Sequence, residues 1–201
     1  LEEAGATACF LAQDLRDPAA GGRLTDFAIR ETGRIDIIVN NAGATKRGNF
    51  ADLTDADWQD GFELKLFGAV RLTRAAWPHL KASSGSVVNI AGSGGRTPGA
   101  EFAVGGSVNA AMLSMTKALA ELGLKDGVQV NAINPGPVRT DRLTKRLAAY
   151  ASEQAFVEAE RMMRVGEPEE VAGLVAFLVG PEGRLLHGSL IDADCGATKT
   201  I

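Results

Sequence analysis

Val87-Val88-Asn89-Ile90-Ala91-Gly92-Ser93-Gly94-Gly95, with the pattern that follows it through Ser114-Met115-Thr116-Lys117, decides the fold of this chain. The β-branched, apolar start predicts a buried strand that breaks at small residues. Beyond Pro98, apolar residues recur at Val108, Met112, Met115, Leu119 and Leu122, which is the spacing of one helical face. A second helical face carries Ser107, Ala111, Ser114 and Ala118, all small enough for close packing. A strand, a glycine-rich break and a small-faced helix together build a cleft at the strand ends of an open α/β sheet.

The flanking sequence extends this pattern. Ile35 to Val39 is almost continuously apolar, as expected of a strand covered on both faces, and runs into Asn40-Asn41-Ala42-Gly43. Val128 to Ile133 predicts another strand, followed by the loop Asn134-Pro135-Gly136-Pro137-Val138-Arg139-Thr140, whose prolines fix its course. Thr7 to Leu11 and the segment from Gly188 to Gly196 read as the first and last strands. Helices are expected from Pro18 to Thr32, closed by Gly33, and from Thr54 to about Leu80. The second opens with a Thr54/Asp57 capping box and should bend or end at Pro78. Asp141 to Met163 suggests two short helical pieces. Pro168-Glu169-Glu170 opens a last helix with Val171, Leu174, Val175 and Leu178 inward. The fold class is α/β, a doubly wound parallel sheet, in a single domain over residues 1–201.

Composition narrows the function. A formal charge of −4 and the lack of any Lys/Arg run argue against a nucleic-acid surface. The longest apolar run, Val171 to Val179, is half a membrane span, so no membrane role is expected. Two distant cysteines, Cys9 and Cys195, make no disulfide framework and suit a reducing, cytoplasmic setting. His79 and His187 have no partner spacing, so no metal site and no Ser-His-Asp triad are supported.

These motifs, in this order and at these spacings, resemble the short-chain dehydrogenase/reductase family over nearly all 201 residues. The resemblance implies a Rossmann-like fold, NAD or NADP as cofactor, a small-molecule carbonyl or alcohol substrate, and a homodimer or homotetramer. It implies cofactor contacts at Asp14 and Leu15 for the adenine end, although Asp14 also suits a simple turn. It places Asn41, Ala42 and Gly43 near a ribose, and Pro135, Gly136, Val138 and Thr140 at the nicotinamide end, with Gly136 admitting the ring face. Residues 141–165 correspond to the substrate lid. By analogy with the family's layout, about 45 further residues, carrying N-terminal strands and a Gly-rich turn, are expected ahead of Leu1.

The catalytic positions depart from the family's Asn, Ser and Tyr-x-x-x-Lys. The Asn position holds Lys65, in a register fixed by Gly68, and the Ser position holds Gly92, with Ser93 one residue later. The Tyr and Lys positions hold Gly105 and Asn109. Lys and Asn are thus exchanged between the two helices, not deleted. Lys65, Ser93 and Asn109 are the catalytic candidates. Lys65 is expected to bring its ammonium into the space of the family's lysine, with a lowered pKa, and Gly105 to leave a hole where the tyrosine ring stood. The plain alternatives are a solvated helix lysine and a serine turned away by its one-residue shift. The expected function is NAD(P)-dependent oxidoreduction with an altered site. The alternatives are a non-catalytic dinucleotide-binding or sensor protein, and a structural subunit paired with an active homologue.

Overall fold

Among the described residues four parallel strands, in the order β1-β2-β3-β4, form one sheet. They are β1 (Ile37–Asn40), β2 (Ser86–Ile90), β3 (Gln129–Pro135) and β4 (Leu190–Ala193). The structure is a computed structural model, and it describes residues 5–199. The register pairs Asn40 with Asn89, and Asn134 with Asp192. All strands run the same way, so the loops after Asn40, Ile90, Pro135 and Ala193 emerge at one edge. That edge is where an open α/β sheet binds ligands.

Among the described residues seven α-helices surround the sheet: α1 (Ala20–Thr32), α2 (Asp55–Gly61), α3 (Gly68–Ser83), α4 (Ala103–Asp126), α5 (Asp141–Leu147), α6 (Glu153–Ala159) and α7 (Pro168–Val179). Ile35, Ala76, Leu80, Val87, Ala120, Val128 and Val130 form one core, which joins α1, α3 and α4 to one face of the sheet. On the other face Val88, Ile90 and Ile133 pack against Leu178, with Val171, Leu174 and Val175 of α7 around them. Period-2 alternation along β2 sends Val87 and Val88 to these opposite cores. Helix α1 approaches α3 closely because Gly21 has no side chain; a Cβ there would sit 2.6 Å from the Arg71 carbonyl carbon.

Several expectations are met. Gly33 closes α1 in the left-handed conformation, its N–H on the Ile29 carbonyl. Thr54 and Asp57 form the reciprocal capping box, and 141–165 contains two short helices. Others need correction. Thr7 to Leu11 forms no strand, because among the described residues no strand lies beside it to accept its backbone groups; Phe10 is 88% exposed. The strand at β1 is covered on one face only: Ile38 packs into the core, whereas Ile37 and Val39 are 44% and 40% exposed. Pro78 does not end its helix, since α3 continues to Ser83. Leu122 is exposed and not part of the inward stripe of α4.

Candidate active site

The buried polar residues of β1 and β2 fix the floor of the cleft. Asn40 Nδ2 donates to Asn89 Oδ1 at 2.8 Å and to Thr73 Oγ1 at 3.0 Å. Asn89 Nδ2 donates to Thr116 Oγ1 at 2.9 Å, and that hydroxyl donates to the Met112 carbonyl. The chain ties both strands to α3 and α4. Each link satisfies a buried polar group that would cost about 1–3 kcal/mol if left unpaired.

Above this floor, Lys65 and Asn109 meet. Lys65 lies in a π-helical turn, Phe62–Phe67, between α2 and α3. Such turns widen a helix and re-aim its side chains, often at functional sites. Lys65 Nζ donates to Asn109 Oδ1 at 2.6 Å and to the Ala91 carbonyl at 2.5 Å. Two of the three ammonium hydrogens are thus engaged, and the third has no partner among the described residues. Burial, helped by the nearby charge of Arg142, pushes Lys65 down to about 8.

Two glycines make this meeting possible. A Cβ on Gly43 would lie 2.8 Å from Lys65 Cδ. Gly92 has φ +141°, and a Cβ there would lie 2.8 Å from Asn109 Nδ2. The glycine at the family's serine position therefore makes room for the asparagine amide.

Gly105 does not leave a hole. A Cβ on it would lie 2.1 Å from Cε2 and Cζ of Phe102, so the phenyl ring occupies the space into which a side chain at 105 would project. A Cβ on Gly94 would meet the same ring at 2.8 Å. The Arg47 guanidinium covers the ring, 4.0 Å from its centroid. Sequence reasoning missed Phe102 and Arg47. The available signal was the pair Gly94 and Gly105 flanking an aromatic residue, since two absent side chains leave room for one large one.

The other candidates sit as follows. Asp14 is exposed and accepts from the Arg16 backbone N–H at 3.0 Å and from its guanidinium. The Arg16 backbone N–H holds the Asp14 carboxyl below its ordinary value, against an opposing desolvation and with further help from the Arg16 side chain. Leu15 packs on Gly68 at the start of α3. Asn41 and Ala42 are exposed at the cleft edge, and the Gly43 carbonyl accepts from Arg142 Nη2 at 2.7 Å, linking the β1 loop to α5. Pro135 to Thr140 leaves β3, with Val138 bridged to Gly166. The Thr140 hydroxyl donates to the Val138 carbonyl. A Cβ on Gly136 would strike Asp194 at 2.8 Å, so the close approach of the chain after β4 by itself demands glycine there. Ser93 stands in a single 3-10 turn after β2, and among the described residues no hydrogen bond joins its hydroxyl to Lys65 or Asn109. Cys195, where the family has glycine, adopts φ +53°, the backbone region that glycine tolerates best.

A sequence model described as enoyl-(acyl carrier protein) reductase matches residues 1–198. The chain is 34% identical over 200 residues to an uncharacterized oxidoreductase of Mycobacterium tuberculosis, covering 98% of this chain and 76% of that one. The chain belongs to the short-chain dehydrogenase/reductase family. As a member it is an oxidoreductase of the NAD(P)-dependent kind. Among solved structures it is similar to a short-chain dehydrogenase from Burkholderia cenocepacia in complex with NADP. The TM-score is 0.87 at 32% identity, over 98% of this chain and 79% of that one. It is also similar to an NADPH-bound short-chain oxidoreductase of Pseudomonas aeruginosa described as containing an atypical catalytic center. There the TM-score is 0.86 at 25% identity, over 94% of this chain and 75% of that one. Among the described residues no helix is long and apolar enough to cross a membrane, and no three His, Cys, Asp or Glu side chains gather as metal ligands.

Proposed function

We propose that this short-chain dehydrogenase/reductase moves a hydride between NAD or NADP and a carbonyl or alcohol carbon, with Lys65 as the proton donor in place of tyrosine. One observation carries the reading: a part-buried lysine near pKa 8, anchored by Asn109 and the Ala91 carbonyl, keeps one ammonium hydrogen free among the described residues. A group that titrates near the working pH suits general acid catalysis.

The donor set fits the cofactor. A free N–H on Lys65 suits a ribose or substrate oxygen, and the exposed Asn41, Ala42 and Thr140 line the edge where ribose and carboxamide groups would rest. Bound there, NAD or NADP supplies or accepts the hydride. In reduction, Lys65 Nζ gives its proton to the oxygen of the reduced carbonyl, leaving the neutral amine. Asn109 Oδ1 and the Ala91 carbonyl hold the nitrogen in place through the transfer. In oxidation the neutral amine takes the alcohol proton. Phe102 has no proton to give, and its ring keeps water out of the space beside Gly105. Ser93, one residue past the usual serine position, is assigned a place facing substrate, and Asp14 with Leu15 the adenine end. The helices α5 and α6 serve as the lid, tied to the cleft by Arg142 on Gly43.

The same reading includes a homodimer or homotetramer through the exposed Ser107, Ser114 and Ala118 of α4, and a cytoplasmic setting, for which the two free cysteines speak.

The test is NADH and NADPH consumption against a panel of ketones, aldehydes and keto acids, for the wild type and Lys65→Met. Loss of the acid should lower turnover by roughly 10²–10⁴-fold. Unchanged turnover in Lys65→Met would remove Lys65 from the mechanism. Tight cofactor binding with no turnover on any substrate would favour the sensor alternative.

A further inference from the structure

Arg47 is unused in the mechanism above, yet it stands at its entrance. Its guanidinium lies over the Phe102 ring that fills the space beside Gly105. Its loop is tied down there by Gly48 N donating to the Glu101 carbonyl at 3.1 Å. Among the described residues the ion pairs of this region include Lys46 with Asp57, Arg146 with Glu160, and Arg139 with Glu153 and Glu167; Arg47 and Arg142 belong to none of them.

The charges felt at Arg47 are Arg146, Arg142, Glu160 and Glu101, and Arg142 also acts on Lys65. With Arg146 held by Glu160, Arg47, Arg142 and Lys65 are left facing one carboxylate, Glu101, among these groups. Stacking on an aromatic face fixes the plane of a guanidinium and leaves its N–H edge open for a flat, two-oxygen acceptor. Arg142 spends one N–H on the Gly43 carbonyl and keeps its remaining donors exposed. Such a concentration of one sign draws anions towards the cleft.

We propose that Arg47, seated on Phe102, is a specificity residue that selects substrates bearing a carboxylate close to the reacting carbonyl. The proposal rests on the oxidoreductase reading for its carbonyl, but its test reads binding alone. The place that tyrosine takes in other family members is converted here into a platform for an anion-binding fork, while the proton task passes to Lys65.

The probe pair is acetoacetate and its neutral methyl ester, titrated into the purified protein by calorimetry or ligand-observed NMR. The wild type should prefer acetoacetate, and added salt should erode that preference. Arg47→Gln should weaken acetoacetate by roughly 10- to 100-fold, the weight of charge-assisted hydrogen bonds, and leave the ester unchanged. Arg47→Lys, which keeps the charge but not the fork, should fall between. Phe102→Leu should weaken acetoacetate selectively, because the platform is gone. Equal affinity of the wild type for both probes would overturn the proposal. So would an Arg47→Gln variant that loses NADPH or NADH affinity while binding acetoacetate normally, since Arg47 would then serve a cofactor phosphate. A protein that discriminates between the probes but turns nothing over would defeat the catalytic reading and leave the anion selection standing.

Discussion

Replacing Gly105 with alanine should destabilise the protein, against the ordinary rule for helices. Gly105 lies in the first turn of α4, where exchanging Gly for Ala normally gains about 1 kcal/mol. Here the new methyl would lie 2.1 Å from two carbons of the Phe102 ring. Ordinary contact needs more than 3.4 Å, so the ring must move by over an ångström. It has little room: Gly94 presses on its other edge, and Arg47 covers it at 4.0 Å. Overpacking of this kind costs about 1–3 kcal/mol. Displacing the ring also forfeits a cation–π contact of roughly 0.5–1 kcal/mol. The net expectation is a loss of about 0.5–3 kcal/mol after the helix gain is subtracted. A double-mutant cycle in urea isolates the cause. In a Phe102→Ala background the same Gly105→Ala change should stabilise by about 1 kcal/mol, because the obstacle is gone. If Gly105→Ala stabilises both backgrounds equally, Phe102 does not fill the tyrosine space, and the reasoning about the altered site fails with it.

Lys65→Met should separate stability from activity. Removing a buried ammonium relieves about 3 kcal/mol, the worth of its pKa displacement, while orphaning Asn109 Oδ1 and the Ala91 carbonyl costs about 1–3 kcal/mol each. Urea midpoints should therefore move little, whereas turnover collapses; strong destabilisation with intact turnover would make Lys65 a structural residue. Asn89→Leu removes both the acceptor for Asn40 and the donor to Thr116, and should cost about 2–5 kcal/mol by the same denaturation assay. Stability should also follow pH. The folded pKa of Lys65, about 8, lies below its unfolded 10.5, so the folded state holds fewer protons between these values. The lysine's contribution to stability accordingly rises as pH climbs from 8 towards 10.5, and Lys65→Met should abolish that rise in thermal melts. Reduction should slow above about pH 8 as the donor form is lost, and oxidation should quicken over the same range.

Much of this was legible in the sequence because the signals were local. Gly33 announced the end of α1, Thr54 with Asp57 the start of α2, and the Val87 stretch a buried strand. The exchange of Lys65 and Asn109 was readable by setting the register against the resembled family's pattern, and the two side chains do meet. What escaped was tertiary. Phe102 is three residues from Gly105, but its ring reaches back over the helix start only because Gly94, on another segment, also lacks a side chain. Gly136 carried a ligand-facing expectation, yet the backbone of Asp194, nearly sixty positions away, supplies a sufficient reason for it. The strand expected at Thr7 to Leu11 had the right residues but no neighbour to pair with, and a strand is defined by its ladder.

The most direct measurement is the titration of Lys65 itself, by NMR of lysine labelled at the ε-carbon, with Lys65→Met to assign the signal. A midpoint near 8, well below the ordinary 10.5, that moves on addition of NADPH is the expected result. A midpoint at 10.5, unaffected by cofactor, would place Lys65 in solvent and contradict its role as the proton donor.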